Sequence, residues 1–240
     1  MTQKEFDIAV FGASGATGRH VVSLAAEQGL KVLAIDHSAP PASDRRTDVF
    51  YAVADVLTDD LKEFIRSADA VISTLGVALT PTTAIDPPPL YTDGTRAILE
   101  AMQAAGTQRL SVISAAFVEE DDSLPTWFRV TIKQALRVIL DQMREMETLI
   151  GSARNIQPTI ARPGWLLEKP LTEQYDIASG GLPKNTIRTR HADLAHFLLR
   201  TITDDTWVGS TPFVGRAEDA FDESLLAASR EIEKLIKKST

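Results

Sequence analysis

Three glycines stand three residues apart in the stretch "VFGASGATGRH": Gly12, Gly15 and Gly18, just behind the apolar run 6–11. Bare backbone at that spacing lets peptide N–H groups close on an anion. Gly12 permits a tight turn off a strand, Gly15 removes the Cβ that would block a diphosphate, and Gly18 lets a helix pack close to that strand. The helix then offers unpaired N–H donors around Ala16 and Thr17 and a partial positive charge. Ser14 and Thr17 can add hydroxyls, and Arg19 adjoins the third glycine. The chemistry is capture of a dinucleotide; the alternative is a merely structural turn.

A second group stands at the ends of later apolar runs. Asp36 closes the second run, about 20 residues beyond the glycines, where a carboxylate accepts from an adenosine ribose and repels a 2′-phosphate. It is followed by His37 and points to NAD. Arg19, Arg45 and Arg46 could instead pair with a 2′-phosphate, or the last two could simply solvate a loop, so the choice between NAD and NADP stays open. Asp55 and Val56 are placed near the adenine. Thr74, Leu75 and Gly76 would follow the ribose and phosphate. Ser114 and Ala115 end the fifth run, and Pro163, Gly164 and Trp165 follow the sixth.

These residues need a frame of alternating strands and helices. Strands are expected at 6–11, 31–36, 49–55, 69–74, 109–114 and 158–162. Helices are expected at 15–28, 58–67 and 91–105, through a long region ending at 150, and at 191–202. Such alternation implies an α/β chain with a doubly wound parallel sheet and helices on both faces. One domain spans 1–240. Its substrate-side elements fall mainly at 115–135 and 163–190; within the latter, 163–185 is rich in Pro and Gly and reads as loop. The acidic stretch "EEDDSLPTWF" (119–128) reads as a solvated loop or a lid. Residues 218–239 read as an extra amphipathic C-terminal helix, packed on the domain or forming a homodimer contact.

Composition narrows the partners. The chain has 240 residues, 44% of them hydrophobic, enough for one large core. Its net charge of −8 argues against a nucleic-acid partner. It has no Cys, which excludes disulfides, thiolate nucleophiles and Cys-held metals. No His, Asp or Glu cluster has metal-ligand spacing, so no metal is expected. No run is long enough to span a membrane, and the polar start "MTQKEFD" shows no signal peptide; a cytoplasmic protein is expected.

A proton donor is conspicuously missing. Reduction of an isolated carbonyl commonly uses a Tyr with a Lys four residues on, which lowers the phenol's pKa. Four residues after Tyr51, Tyr91 and Tyr175 stand Asp55, Thr95 and Ser179. Either the acceptor needs no proton from the protein, or the protein binds without turnover. Ser114 and Trp165 are the candidates nearest such an acceptor, Trp165 as a flat stacking surface and Phe117 as an opposite wall. Each also reads as ordinary packing. His191, His196 and Lys133 read as structural or exposed.

The blocks "GASGATGRH", "DAVISTLG", "YTDGTRAILEAMQAAG", "VISAAF", "ARPGW" and "RHADLAHFLLRTI", in this order over roughly 5–215, resemble the atypical short-chain dehydrogenases of the NAD(P)H-binding, NmrA-like group. The resemblance is greatest to the biliverdin-IXβ reductase/flavin reductase type. It implies a Rossmann-like fold that passes a hydride from NADPH to a flavin or tetrapyrrole, with Ser114 near the nicotinamide and 163–164 beside it. Two positions depart from that type. Trp165 stands where the relative carries a His, and Asp36-His37 where it carries an Arg. The expected partner is a small planar substrate: flavin, quinone or tetrapyrrole. The alternative is a dinucleotide-binding regulator without turnover, which the group also contains.

Overall fold

The run "FDIAVF" forms β1 (Phe6–Phe11), almost wholly buried. Its side chains split by the two-residue period of a strand. Ala9 and Phe11 enter one core cluster, Ile8 and Val10 the other. The same split recurs in β2 (Val32–Asp36), where Leu33 and Ile35 oppose Val32 and Ala34. A sheet apolar on both faces must be covered on both. The computed structural model describes residues 4–119, 135–183, 186–219 and 221–222. Most of the acidic stretch, Lys133 and 223–239 of the expected C-terminal helix lie outside the described residues.

The other main strands are β3 (Val49–Val53), β4 (Ala68–Ser73), β5 (Arg109–Ile113) and β6 (Gln157–Pro163). Short strands follow at β7 (Trp165–Leu167), β8 (Asp176–Ala178), β9 (Arg188–Arg190) and β10 (Phe213–Gly215). The sheet runs β3-β2-β1-β4-β5-β6-β10-β8, parallel except for β8. Strand order reverses at β1, which pairs with β2 on one side and β4 on the other. This is the Rossmann-like doubly wound architecture that the alternation predicts.

Helices cover the faces by their own periodicity. α1 (Ala16–Glu27) buries Thr17, Gly18, Val21, Val22 and Ala25 along one stripe. It shares its face with α6 (His191–Thr203), whose Leu194, Phe197 and Leu198 join the same cluster. The opposite face takes α2 (Lys62–Arg66), α4 (Thr95–Ala105) and α5 (Arg137–Ser152), through Ile65, Ile98, Met102, Met146 and Ile150. A short α3 (Pro81–Ile85) follows the loop after β4. No helix among the described residues is long and apolar enough to cross a membrane.

Residues 163–185 depart from the loop expected there, for they hold β7 and β8. β7 pairs with β9 in a separate parallel two-stranded sheet, and β8 lies antiparallel on β10. Strands of three residues are too short to show a period, and long-range pairing alone defines them. The lobe is pinned to α6 by Asp193, which is fully buried. Its carboxylate accepts from the N–H groups of Thr172 and Glu173, at 2.8 and 2.9 Å, and from the Thr172 hydroxyl at 2.8 Å. His196 Nδ1 and the Tyr175 hydroxyl lie 2.8 Å apart, a structural clasp.

The C-terminal helix does not begin at 218 as expected; 217–219 are irregular and 221–222 form a turn. Glu218 is drawn inward instead. Arg190 grips its carboxylate, Lys169 lies 3.1 Å away, and together they hold its pKa down to about 2.

Candidate cofactor-binding and active site

All strands of the eight-stranded sheet but β8 point the same way, so the loops at their carboxyl ends share one edge. In-register pairs align these ends: Phe11 with Ile35 and with Ser73, Ser73 with Val112, Ile113 with Ala161. Asp36, Thr74, Ser114 and Pro163 therefore fall on this edge with the glycine loop, where open α/β sheets bind ligands.

The glycine loop follows β1. Gly12 has φ +74°, which a residue with a Cβ adopts only under strain. At Gly18 an added Cβ would lie 2.1 Å from the Gly12 carbonyl oxygen and 2.9 Å from Ala13 Cα, so α1 packs directly on the loop. Gly15 is exposed and begins α1 with no side-chain cap. The first-turn N–H groups of Ala16 and Thr17 have no partner within the helix. Thr74 fixes the loop from beneath; its hydroxyl contacts the carbonyls of Phe11 and Gly12 at 2.9 and 3.0 Å. An uncapped helix start behind an exposed glycine fits a diphosphate.

Asp36 reaches back to the same loop. Its Oδ2 accepts from the Ser14 N–H at 2.8 Å, and its Oδ1 accepts from the His37 N–H at 2.8 Å. The His37 ring Nδ1 lies 2.6 Å from Oδ1. A carboxylate has about four lone-pair sites, so one remains for a ribose hydroxyl. Asp36 thus shapes the glycine loop and could still accept from an adenosine ribose. Arg46 holds Asp48 in a fork at 2.8 and 3.0 Å, and Arg45 donates to the Pro40 carbonyl. Arg19 is exposed on the first turn of α1. Asp55 caps its own turn by accepting from the Leu57 N–H at 2.9 Å, and Val56 is buried behind it. Leu75 packs on the core, and Gly76 lies by the buried Tyr91 hydroxyl.

Across the switch point, Ser114 directly follows β5 and donates its hydroxyl proton to Glu147 at 2.6 Å. Arg162, on β6, clamps the same carboxylate with Nε at 3.0 Å and Nη2 at 2.6 Å. Ala115 starts the turn after Ser114. Pro163 closes β6, and the Gly164 N–H donates to the Thr189 hydroxyl at 2.8 Å. Trp165 opens β7, half-buried against the cluster that holds Phe117 and Ile187. A polar cleft of about 400 Å³, lined by Gln103, Gln108, Arg154 and Asn155 among others, opens at the other end of β5, away from these groups.

A family model described as NAD(P)H-binding matches residues 12–205, from the first glycine of the loop to just past α6. The chain belongs to this NAD(P)H-binding family. Solved structures with the same fold include a short-chain dehydrogenase/reductase from Veillonella parvula DSM 2008 in complex with NADP. It is 15% identical, covering 92% of this chain and 99% of its own, with a TM-score of 0.71. A protein named as an NADH-flavin reductase, from Streptococcus pneumoniae TIGR4, is 20% identical over 88% of this chain and 99% of its own, with a TM-score of 0.69. The oxidoreductase ylbE from Lactococcus lactis is 16% identical, covering 93% and 97%, with a TM-score of 0.71.

Within the NAD(P)H-binding frame, the Thr17 side chain does not face the opening. Its hydroxyl lies 2.8 Å from His191 Nδ1 and ties α1 to the start of α6; which of the two donates depends on the ring tautomer. Burial pushes the His191 pKa down from 6.5 to about 4; Glu168 pulls it up, and His20 and Arg19 push it down further. In the unfolded chain the ring keeps its ordinary value. Between pH 6.5 and about 4 the unfolded state therefore binds the extra proton, and stability falls as pH falls through that window. The expected loss approaches roughly 3 kcal/mol by its acid end. Urea midpoints measured from pH 7 to pH 4 check this; His191→Gln should flatten that slope, and an unchanged slope would refute the assignment.

Sequence reasoning missed Glu147, Arg162 and the Thr17–His191 link. Ser114 and Glu147 are 33 positions apart. Only the fold brings α5 across the end of β5, so no spacing could have announced the pair. Arg162 lay inside the quoted "ARPGW" block, but an Arg ending a strand carries no local signal of its partner.

Proposed function

We propose that this NAD(P)H-binding chain is a reductase of a planar conjugated acceptor: a flavin, a quinone or a tetrapyrrole. A reduced nicotinamide, when bound, supplies a hydride. The observation that carries the reading is the make-up of the crevice edge at β5, β6 and β7. Ser114 has its proton on a carboxylate, and Trp165 offers one indole N–H that neither gives nor takes a proton at neutral pH. Neither residue is equipped to protonate an isolated carbonyl, and the sequence has no Tyr–Lys pair for that task. A delocalised acceptor spreads the new charge through its rings and takes its proton from solvent. The protein then contributes orientation and exclusion of water, with proximity the main rate term. Gly12, Ser14, Gly15, Gly18 and Asp36 would hold the dinucleotide; Ser114, Pro163, Gly164 and Trp165 would frame the reacting end.

The test follows the nicotinamide absorbance of NADH or NADPH with FMN, menadione and biliverdin as acceptors. Steady oxidation is expected with at least one of them. Trp165→Ala should raise KM for that acceptor roughly tenfold, the loss of one stacked aromatic contact, while leaving cofactor affinity unchanged. Tight cofactor binding with no oxidation across the panel overturns the reductase and favours a dinucleotide-binding regulator.

A further inference from the structure

Glu147 and Arg162 meet under Ser114 in a nearly dry network. Their side chains are 11% and 9% exposed, so water competes weakly for their hydrogen bonds. Arg162 also reaches Glu119 and lies 5.2 Å over the Phe213 ring. Burial works against its charge, but the hydrogen bonds and charges of Glu147 and Glu119 outweigh it and hold the guanidinium pKa above its ordinary value. A carboxylate held in a guanidinium fork has only lone pairs to offer. The Ser114 hydroxyl is its third donor.

A hydroxyl carries one proton and two lone pairs. With that proton fixed on Glu147, Ser114 turns only acceptor capacity toward any third group. Ser114 stands on the β4-β5-β6 side of the switch point, opposite the Asp36 side. A dinucleotide lying across that point, with its adenosine toward β2, brings its nicotinamide to this side. The nicotinamide ring carries a carboxamide with two N–H donors.

We propose that Glu147, fixed by Arg162, is a positioning residue that makes Ser114 an obligate hydrogen-bond acceptor for the carboxamide N–H of bound nicotinamide. This rests on the cofactor placement used above, and it assigns Ser114 to orienting the nicotinamide rather than to donating a proton to the acceptor. Glu147→Gln breaks the device without changing its shape. An amide has a single acceptor oxygen and cannot accept from both arms of the guanidinium, so the fork opens and Ser114 loses the fixed carboxylate that directs its proton.

The test compares NADH with reduced 3-acetylpyridine adenine dinucleotide, in which a methyl group replaces the carboxamide nitrogen. ADP-ribose, which lacks the ring, is the control. Affinities are measured by fluorescence or calorimetry for the natural chain, Ser114→Ala, Glu147→Gln and the double variant. The natural chain is expected to prefer NADH roughly tenfold, as for one good hydrogen bond. Each single variant should lose that preference, and the double variant should lose no more than either. Ser114→Thr should keep it, and ADP-ribose affinity should stay within about twofold throughout, which also shows that the variants are folded. Should Glu147→Gln fail to fold, Ser114→Ala and Ser114→Thr still decide the serine's role, and Glu147→Asp decides whether the carboxylate directs it. Equal binding of the two dinucleotides by the natural chain overturns the proposal, as does a preference that survives Ser114→Ala, or no dinucleotide binding at all. A chain that prefers NADH but oxidises it with no acceptor loses the reductase and keeps this inference. One that turns over without the preference loses this inference alone.

Discussion

Gly18→Ala is expected to weaken NADH and NADPH binding at least about a hundredfold, because displacing a binding element by about 1 Å has effects of that order. The new Cβ would sit 2.1 Å from the Gly12 carbonyl oxygen, 2.8 Å from Thr74 Oγ1 and 2.9 Å from Ala13 Cα. Two of those atoms are backbone and cannot swing aside. The Gly12 carbonyl also accepts the Gly15 N–H at 3.0 Å and the Thr74 hydroxyl. Relieving the clash must therefore move α1 off the loop and carry its first-turn N–H groups with it. Overpacking of this kind also costs about 1–3 kcal/mol of stability. Gly15→Ala is the informative contrast. Its Cβ meets only the Gly12 carbonyl oxygen, at 3.2 Å, and otherwise faces the opening. That variant should melt close to the natural chain yet bind the dinucleotide poorly. Calorimetric titration beside thermal melts separates the two, and normal affinity in Gly18→Ala would sink the assignment of this loop.

Arg162→Ala should destabilise the fold by about 3–5 kcal/mol, the usual effect of leaving a buried charge without its partner. The stranded group is Glu147, 11% exposed and otherwise bonded only to the Ser114 hydroxyl among the hydrogen bonds described above. Glu119 adds little to this effect, since its side chain is 55% exposed and water can replace the lost partner. Replacing both charges, Arg162→Met with Glu147→Leu, should recover most of the loss, because a buried ion pair and an apolar pair of similar volume are close in stability. Urea denaturation measures both. A loss under about 1 kcal/mol in Arg162→Ala would show that the fork is not formed in solution.

The fold was legible where one stretch of chain carries its whole signal. β1 is met at the expected ends, and β2 and α6 within one residue, because each has its own apolar period. The glycine spacing placed the tight turn between β1 and α1 because backbone geometry there is local. Legibility failed where partners are distant. β7 to β10 exist only through pairing, Ser114 has its carboxylate on another element, and Thr17 turns to a histidine far along the chain. Glu218 opens the expected C-terminal helix, but Lys169 and Arg190 hold its carboxylate instead.

β10 lies between β6 and β8, though β8 precedes it in the chain. During synthesis from the N-terminus, β8 thus leaves the ribosome before the strand it must pair with exists. Until Phe213–Gly215 emerges, β6 ends the sheet with a bare edge and the lobe has no place to dock. The half of the molecule built on β1 to β5 can consolidate early, while the lobe of β7 to β9 must wait for the last described strand of the polypeptide.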